Sequence, residues 1–238
     1  MTALLEATNI VKRFGGFTAL SGVSIAVNPG ERLGIIGPNG SGKTTLMNTV
    51  AGRMRHDEGN ICWSGMDVGA LPAWRRARLG IARTFQIPMP FAGMTVEENL
   101  RVPLEQHGLA RGAAAASRAA ELLDEFGLAT RARDRAGALS QVELRRLELA
   151  RAAAASPRLL ISDEAMAGLA GGEIDEVLAM LDRLSARGIA VIMIEHLMRA
   201  IMRFSARVVC LDAGKIIAEG TPAEVVAHPE VRRAYLGA

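Results

Sequence analysis

Apolar positions along the chain fall into two recurring patterns. Short aliphatic runs at 33–36, 159–162 and 189–194 read as buried strands, each followed at once by glycine, acidic or histidine residues. Stretches at 44–51, 113–126, 141–154 and 172–187 repeat apolar residues at three- and four-residue spacing, which reads as one-sided helices. Strands alternating with helices in this order predict an α/β fold with parallel strands, its polar groups gathered at the C-terminal ends of the strands.

The smaller elements fill in around that frame. Residues 4–10 and 24–27 read as strands with 11–16 as a loop between them, and Pro29-Gly30 as a turn. Residues 61–63 and 81–85 read as further strands separated by a basic helix at 71–79. A hairpin is expected at 208–219 around Asp212-Ala213-Gly214, followed by a helical tail over 222–236.

The pattern breaks at Gln86, where Pro88 and Pro90 prevent a regular strand. Thr95 and Glu98 then have the spacing of a capping box, and the chain reads as helical almost to Ser156. The expectation is a single domain in which residues 86–155 form an inserted helical lobe and residues 1–85 and 156–238 form the core lobe.

Chemistry enters with Gly37-Pro38-Asn39-Gly40-Ser41-Gly42-Lys43-Thr44-Thr45, a fit to G-x-x-x-x-G-K-[ST] between an expected strand and an expected helix. Glycines let backbone N–H groups approach phosphate oxygens, and the following helix adds unpaired N–H groups and a positive dipole end. Lys43 is then expected on the β- and γ-phosphates of ATP and the Thr44 hydroxyl on Mg2+. Composition strengthens this reading: of 28 lysines and arginines only Lys12, Lys43 and Lys215 are lysine, so a compact ammonium at 43 is a specific choice. Leu159-Leu160-Ile161-Ser162-Asp163-Glu164 reads as a buried strand delivering two carboxylates beside that loop, Asp163 toward Mg2+ and Glu164 toward the attacking water.

The totals narrow the class. The chain is half hydrophobic and 4% aromatic with a formal charge of only +3, and no basic cluster points to nucleic acid as a partner. Cys62 and Cys210 have no metal-ligand spacing and suit a reducing compartment. No apolar stretch is long enough to cross a membrane.

The order of motifs resembles an ATP-binding-cassette (ABC) transporter ATPase over essentially the whole chain. Phe14 resembles the family's adenine-stacking aromatic, Arg83-Thr84-Phe85-Gln86 its glutamine loop, and His196 its switch histidine. Arg83-Thr84-Phe85-Gln86, Met94-Thr95-Val96, Glu98-Asn99-Leu100 and Ile194-Glu195-His196 look most like branched-chain amino acid importers. The resemblance implies a P-loop NTPase fold: a mainly parallel core sheet, an antiparallel β subdomain and an inserted α-helical subdomain. It also implies Gln86 near Mg2+ and the water, His196 near the γ-phosphate, and Ser140 reaching the nucleotide of a partner cassette. Transmembrane permeases, a second cassette and, indirectly, a solute-binding protein follow as partners, with the chain peripheral on the cytoplasmic face of the membrane. The cluster Ile87, Met89 and Phe91 is either lobe core or the groove where a permease helix docks.

One element departs from the family pattern. Where L-S-G-G-Q is usual the chain has Leu139-Ser140-Gln141-Val142-Glu143, without either glycine and with an added acid, although Ser140 and Glu143 have the spacing of a capping box. Ala165, Ala170 and Leu197 are further departures. Residues acting in the chain's own site are intact while the element donated across a dimer is altered, so the expectation is a heterodimer. The alternative is a regulatory subunit with weak or no hydrolysis.

Overall fold

A computed structural model describes residues 3–236. The elements in chain order are β1 (Leu5–Phe14), β2 (Phe17–Val27), β3 (Arg32–Ile36), α1 (Lys43–Val50), β4 (Glu58–Trp63), β5 (Met66–Asp67), α2 (Ala73–Arg78) and β6 (Ile81–Arg83). Then come α3 (Val96–Gln106), α4 (Gly112–Glu125), α5 (Gln141–Ala154), β7 (Leu159–Asp163), α6 (Gly171–Ala186) and β8 (Ala190–Ile194). The last are α7 (Met198–Phe204), β9 (Arg207–Asp212), β10 (Lys215–Gly220), α8 (Pro222–Ala227) and α9 (Pro229–Leu236).

The strands form two sheets, an antiparallel one in the order β2-β1-β4-β5 and a larger one in the order β10-β9-β3-β8-β7-β6. In the larger sheet β9, β3, β8, β7 and β6 run parallel, and only β10 is antiparallel. Both faces of that sheet are buried, which is why its strands read as unbroken apolar runs. Leu160, Val191, Met193 and Val208 join the apolar core beneath α3–α6. Their alternate neighbours Leu159, Ile161, Ile192 and Val209 join the core shared with α1 and the antiparallel sheet.

Register brings the strand ends level. Ile194 of β8 lies opposite both Ile35 of β3 and Asp163 of β7. The loops that leave these three strands therefore emerge side by side along one edge, as open α/β sheets arrange their ligand crevices.

Several expected boundaries move. Residues 11–14 are not a loop but the end of β1, which pairs with β2 on one side and β4 on the other. Their polarity belongs to a solvent face: Lys12 Nζ bonds Asp57 at 2.8 Å and Arg13 bonds Glu58 at 2.6 Å across the sheet. Strand β6 stops at Arg83 rather than Phe85, since the Phe85 N–H and C=O are taken by Glu148 and Arg145 of α5. Helix α2 is shorter than expected because it begins behind Pro72. The tail is two helices, since Pro229 forces His228 into an extended conformation between them. Residues 127–140 also interrupt the helical segment with turns and short 3-10 helices.

A buried cation fixes the helix behind the phosphate loop. Arg76 of α2 is fully buried and donates Nη1 to the Thr49 and Val50 carbonyls at the end of α1, Nη2 to Gly69 O, and Nε to Leu71 O. It thus places a positive charge at the C-terminal dipole end of α1 and satisfies carbonyls that helix geometry leaves open. Arg76→Met is expected to lower unfolding free energy by about 2–4 kcal/mol, read by denaturant titration. Arg76→Lys should recover little of it, because an ammonium cannot span all four carbonyls.

Candidate functional site

Gly37 opens the loop after β3 at φ 151°, and a Cβ there would meet Leu211 O at 2.1 Å. Gly42 has φ 105°, with Ala19 O 2.7 Å from where a Cβ would sit. Both positions require glycine, one by crowding from β9 and the other by backbone conformation and crowding from β2. The loop between them wraps over α1, and Lys43 turns its Nζ back onto Gly37 O at 2.7 Å and Pro38 O at 3.0 Å. Burial pulls the Lys43 pKa down, against the opposing charges of Glu164, Cys210 and Asp163. Its partners are therefore weak carbonyls that a phosphate could replace. Ser41 Oγ is buried with no hydrogen-bond partner among the described residues, a further polar atom facing a site of anion-binding geometry.

The acidic residues at the end of β7 are held differently from each other. Asp163 is buried in an ion pair with Arg83 at 2.6 Å, and Arg83 also donates to Asn48 of α1 at 2.7 Å. Its neighbour Glu164 sits at φ 46°, left-handed for a residue with a Cβ. The Glu164 carboxylate meets His196 Nε2 at 2.8 Å through one oxygen and accepts Gln86 Nε2 through the other. Gln86, Glu164 and His196, from three separate loops, thus converge on one point.

A cleft of about 280 Å3 runs from Phe14 along residues 39–45 to Glu164 and His196. Thr44 and Thr45 lie on its floor with Lys43. Gly37 and Pro38 hold the Lys43 end of the loop, while Asp163 and Gln86 flank Glu164. Ser140 stands outside this cleft: its Oγ accepts the Glu143 N–H at the start of α5, as the capping-box spacing anticipates.

In and around the cleft stand three residues whose roles the sequence patterns did not reveal. Phe17 lies opposite Phe14 across the β1–β2 turn, and both rings are open, 46% and 63% exposed for Phe14 and Phe17 respectively. Tyr235 of α9 accepts the Gly37 N–H at 2.7 Å, an anchor at the first residue of the loop. Glu195, only 3% exposed, accepts the Met166 N–H at 3.0 Å. An aromatic beside the expected A-loop residue was a readable signal for Phe17; the other two have partners far away in sequence.

The amide-lined loop fits a polyphosphate, and the Thr44 hydroxyl, the Gln86 amide and the Asp163 carboxylate are the right oxygen donors for Mg2+. Among the described residues no cluster of three His, Cys, Asp or Glu forms a metal cage.

A P-loop, a glutamine loop, an acidic strand end and a histidine loop in this order define a nucleotide-hydrolysing cassette. Residues 20–167 match the family model for ABC transporters, and residues 215–238 match that of the branched-chain amino acid ATP-binding cassette transporter. The chain belongs to the ABC transporter ATPase family and is an ATP-hydrolysing, nucleotide-binding transporter subunit. It is 37% identical to the high-affinity branched-chain amino acid transport ATP-binding protein BraF of Pseudomonas aeruginosa, over 98% of both chains. It is 38% identical to the lipopolysaccharide export system ATP-binding protein LptB of Haemophilus influenzae, over 99% of this chain and 98% of that one. A solved ATP-binding cassette of an ABC transporter in its ADP conformation superposes with a TM-score of 0.90 at 33% identity, covering 100% of both chains.

Two outcomes follow. Phe17→Ala is expected to weaken MgATP binding roughly threefold to tenfold by calorimetry, a stacking loss of about 0.5–1.5 kcal/mol; an unchanged Kd would put the purine on Phe14 alone. Burial, reinforced by the Glu164 charge, pushes the Glu195 carboxyl up from its ordinary 4.5 to about 7. Between those values the folded chain holds a proton that the unfolded chain has lost, so this group costs stability as pH rises through the window. Glu195→Gln should therefore leave the melting temperature unchanged near pH 4, and raise it at pH 8.5 by on the order of 7 °C.

Proposed function

We propose that the chain powers a membrane importer for branched-chain amino acids or similar small amides, working with a second, non-identical cassette. The match of residues 215–238 to the branched-chain amino acid cassette transporters carries the substrate class. Overall identity does not separate import from export, since BraF and LptB are equally similar to this chain.

In this reading the amides of residues 39–45 and Lys43 grip the β- and γ-phosphates, and Phe14 stacks on adenine. Bound Mg2+ would supply positive charge to offset that of the phosphates, and Thr44, Gln86 and Asp163 are the residues that would hold it. Glu164 takes the proton of the attacking water or orients it, Gln86 fixes that carboxylate, and His196 contacts the γ-phosphate. Convergence of Gln86 and His196 on Glu164 favours hydrolysis over a purely regulatory nucleotide sensor.

Residues 86–155 act as a lobe that carries the permease contact. Ile87 and Met89 are 76% and 65% exposed beside a groove of about 360 Å3 lined in part by Phe85, Val102 and Arg151. Exposure of this cluster supports docking of a permease helix, and rules against the cluster being lobe core. The chain then sits at the cytoplasmic face of the membrane, a solute-binding protein supplying substrate from the other side; no helix among the described residues is long and apolar enough to cross.

Asymmetry comes from the start of α5. Glu143 is held ionised by the Ser140 N–H and by Arg131 at 3.2 Å, so a negative charge stands where the family presents a glycine-rich turn. Against a phosphate about 4 Å away that charge costs roughly 4 kcal/mol at an effective dielectric near 20, less what Arg131 returns. A partner cassette with an intact signature completes the site on this chain's Lys43, and the opposite site is degenerate. Purified alone, the chain should hydrolyse ATP at least tenfold slower than with its partner, and Val142→Gly with Glu143→Gln should raise its solitary rate. Homodimer-level turnover by the unaltered chain would refute the asymmetric pairing.

A further inference from the structure

Glu164 carries the catalytic reading above, and its backbone is in a conformation that a residue with a Cβ adopts only under constraint. The neighbouring strand end supplies much of that constraint. Glu164 N–H donates to Ile194 O at 2.9 Å, His196 Nε2 meets Glu164 Oε1 at 2.8 Å, and between them Glu195 Oε1 accepts the Met166 N–H at 3.0 Å. Three successive residues leaving β8 therefore each bind the turn that leaves β7. Two of those contacts involve Glu164 itself; the third fixes the chain two residues later.

We propose that Glu195 is a positioning residue for ATP hydrolysis: by accepting the Met166 N–H it keeps the turn after β7 in the left-handed conformation that points the Glu164 carboxylate at His196 and Gln86. The inference rests on the reading of Glu164 as the residue that handles the attacking water.

The surroundings support a hydrogen-bond acceptor rather than an ion-pair partner. Arg145 of α5 is the cation that acts on Glu195, but its guanidinium is bonded to Phe85 O, Gln86 O and Glu148. From the β7 side Glu195 faces the like charge of Glu164, and on its own strand it is followed by His196. Burial and that like charge favour the protonated form, whose carbonyl oxygen still accepts an N–H. Met166 is fully buried, so without Glu195 its N–H would lose its partner out of reach of bulk water. The turn would then relax toward ordinary backbone, and Glu164 would swing with it.

The test is amide hydrogen exchange on the full chain by NMR, with ATP turnover measured in the assembled transporter. Glu195→Ala should speed exchange of the Met166 amide roughly tenfold or more while the Ile35 amide in β3 is unaffected. The same variant should lower kcat by roughly tenfold with KM for ATP within about twofold, since the phosphate loop is untouched. Glu195→Gln keeps the acceptor and should recover most of both losses. If Glu195→Ala does not fold, Glu195→Asp takes its place, since it withdraws the acceptor by one carbon without emptying the site. Unchanged Met166 exchange, a Gln variant no better than Ala, or a KM that moves as far as kcat would each overturn the proposal. Glu164→Gln is the separate control: if it leaves kcat intact, the reading of Glu164 fails, while Met166 exchange still decides what Glu195 holds.

Discussion

Three parallel strands ending level with one another are the constraint on which this chain's chemistry depends. Ile35, Asp163 and Ile194 are in register, so the phosphate loop, the acidic pair and the histidine leave the sheet within a few ångströms of a common line. Each group needs only one or two further residues to reach the cleft. A slip of one residue in β7 would turn the face of every side chain along it, sending Asp163 toward the opposite side of the sheet. The aliphatic layers on both faces do more than stabilise: they prevent that slip, because either face would then present its neighbour's residues to the wrong core.

Charge at this edge is balanced inside the chain. Asp163 has Arg83, Glu164 has His196 and Gln86, and Lys43 has two carbonyls. Only the Arg83 pair joins two full charges in a buried site; the others rest on an amide, an imidazole and two carbonyls. A polyphosphate and its cation offer stronger partners to the same groups. Arg83 is informative in this respect, since it connects Asp163 to Asn48 on the helix that follows the phosphate loop. Its displacement from Asp163 would be felt along α1, whose far end is tied by Arg76 to α2.

Local chemistry was readable where it is local. The glycine spacing from 37 to 42, the aliphatic run before it, and the Thr95 and Ser140 capping boxes all depend on residues within a turn of one another, and all appear as expected. Residues 11–14 were misread because Lys12 and Arg13 look like loop residues until Asp57 and Glu58, more than forty positions on, are placed beside them. The contacts of Arg83, Glu195 and Tyr235 escaped for the same reason, their partners lying 80, 29 and 198 positions away. Glu143 shows a subtler limit: its charge was legible, but its pairing with Arg131 came only with the fold.

The Tyr235 hydroxyl on the Gly37 N–H has a consequence for biosynthesis. The phosphate loop leaves the ribosome 198 residues ahead of the side chain that anchors its first amide, a gap on the order of 10–40 s at ordinary elongation rates. During that interval the nascent chain can shape the loop but cannot finish it. The loop in its mature form therefore waits on the helix that carries Tyr235.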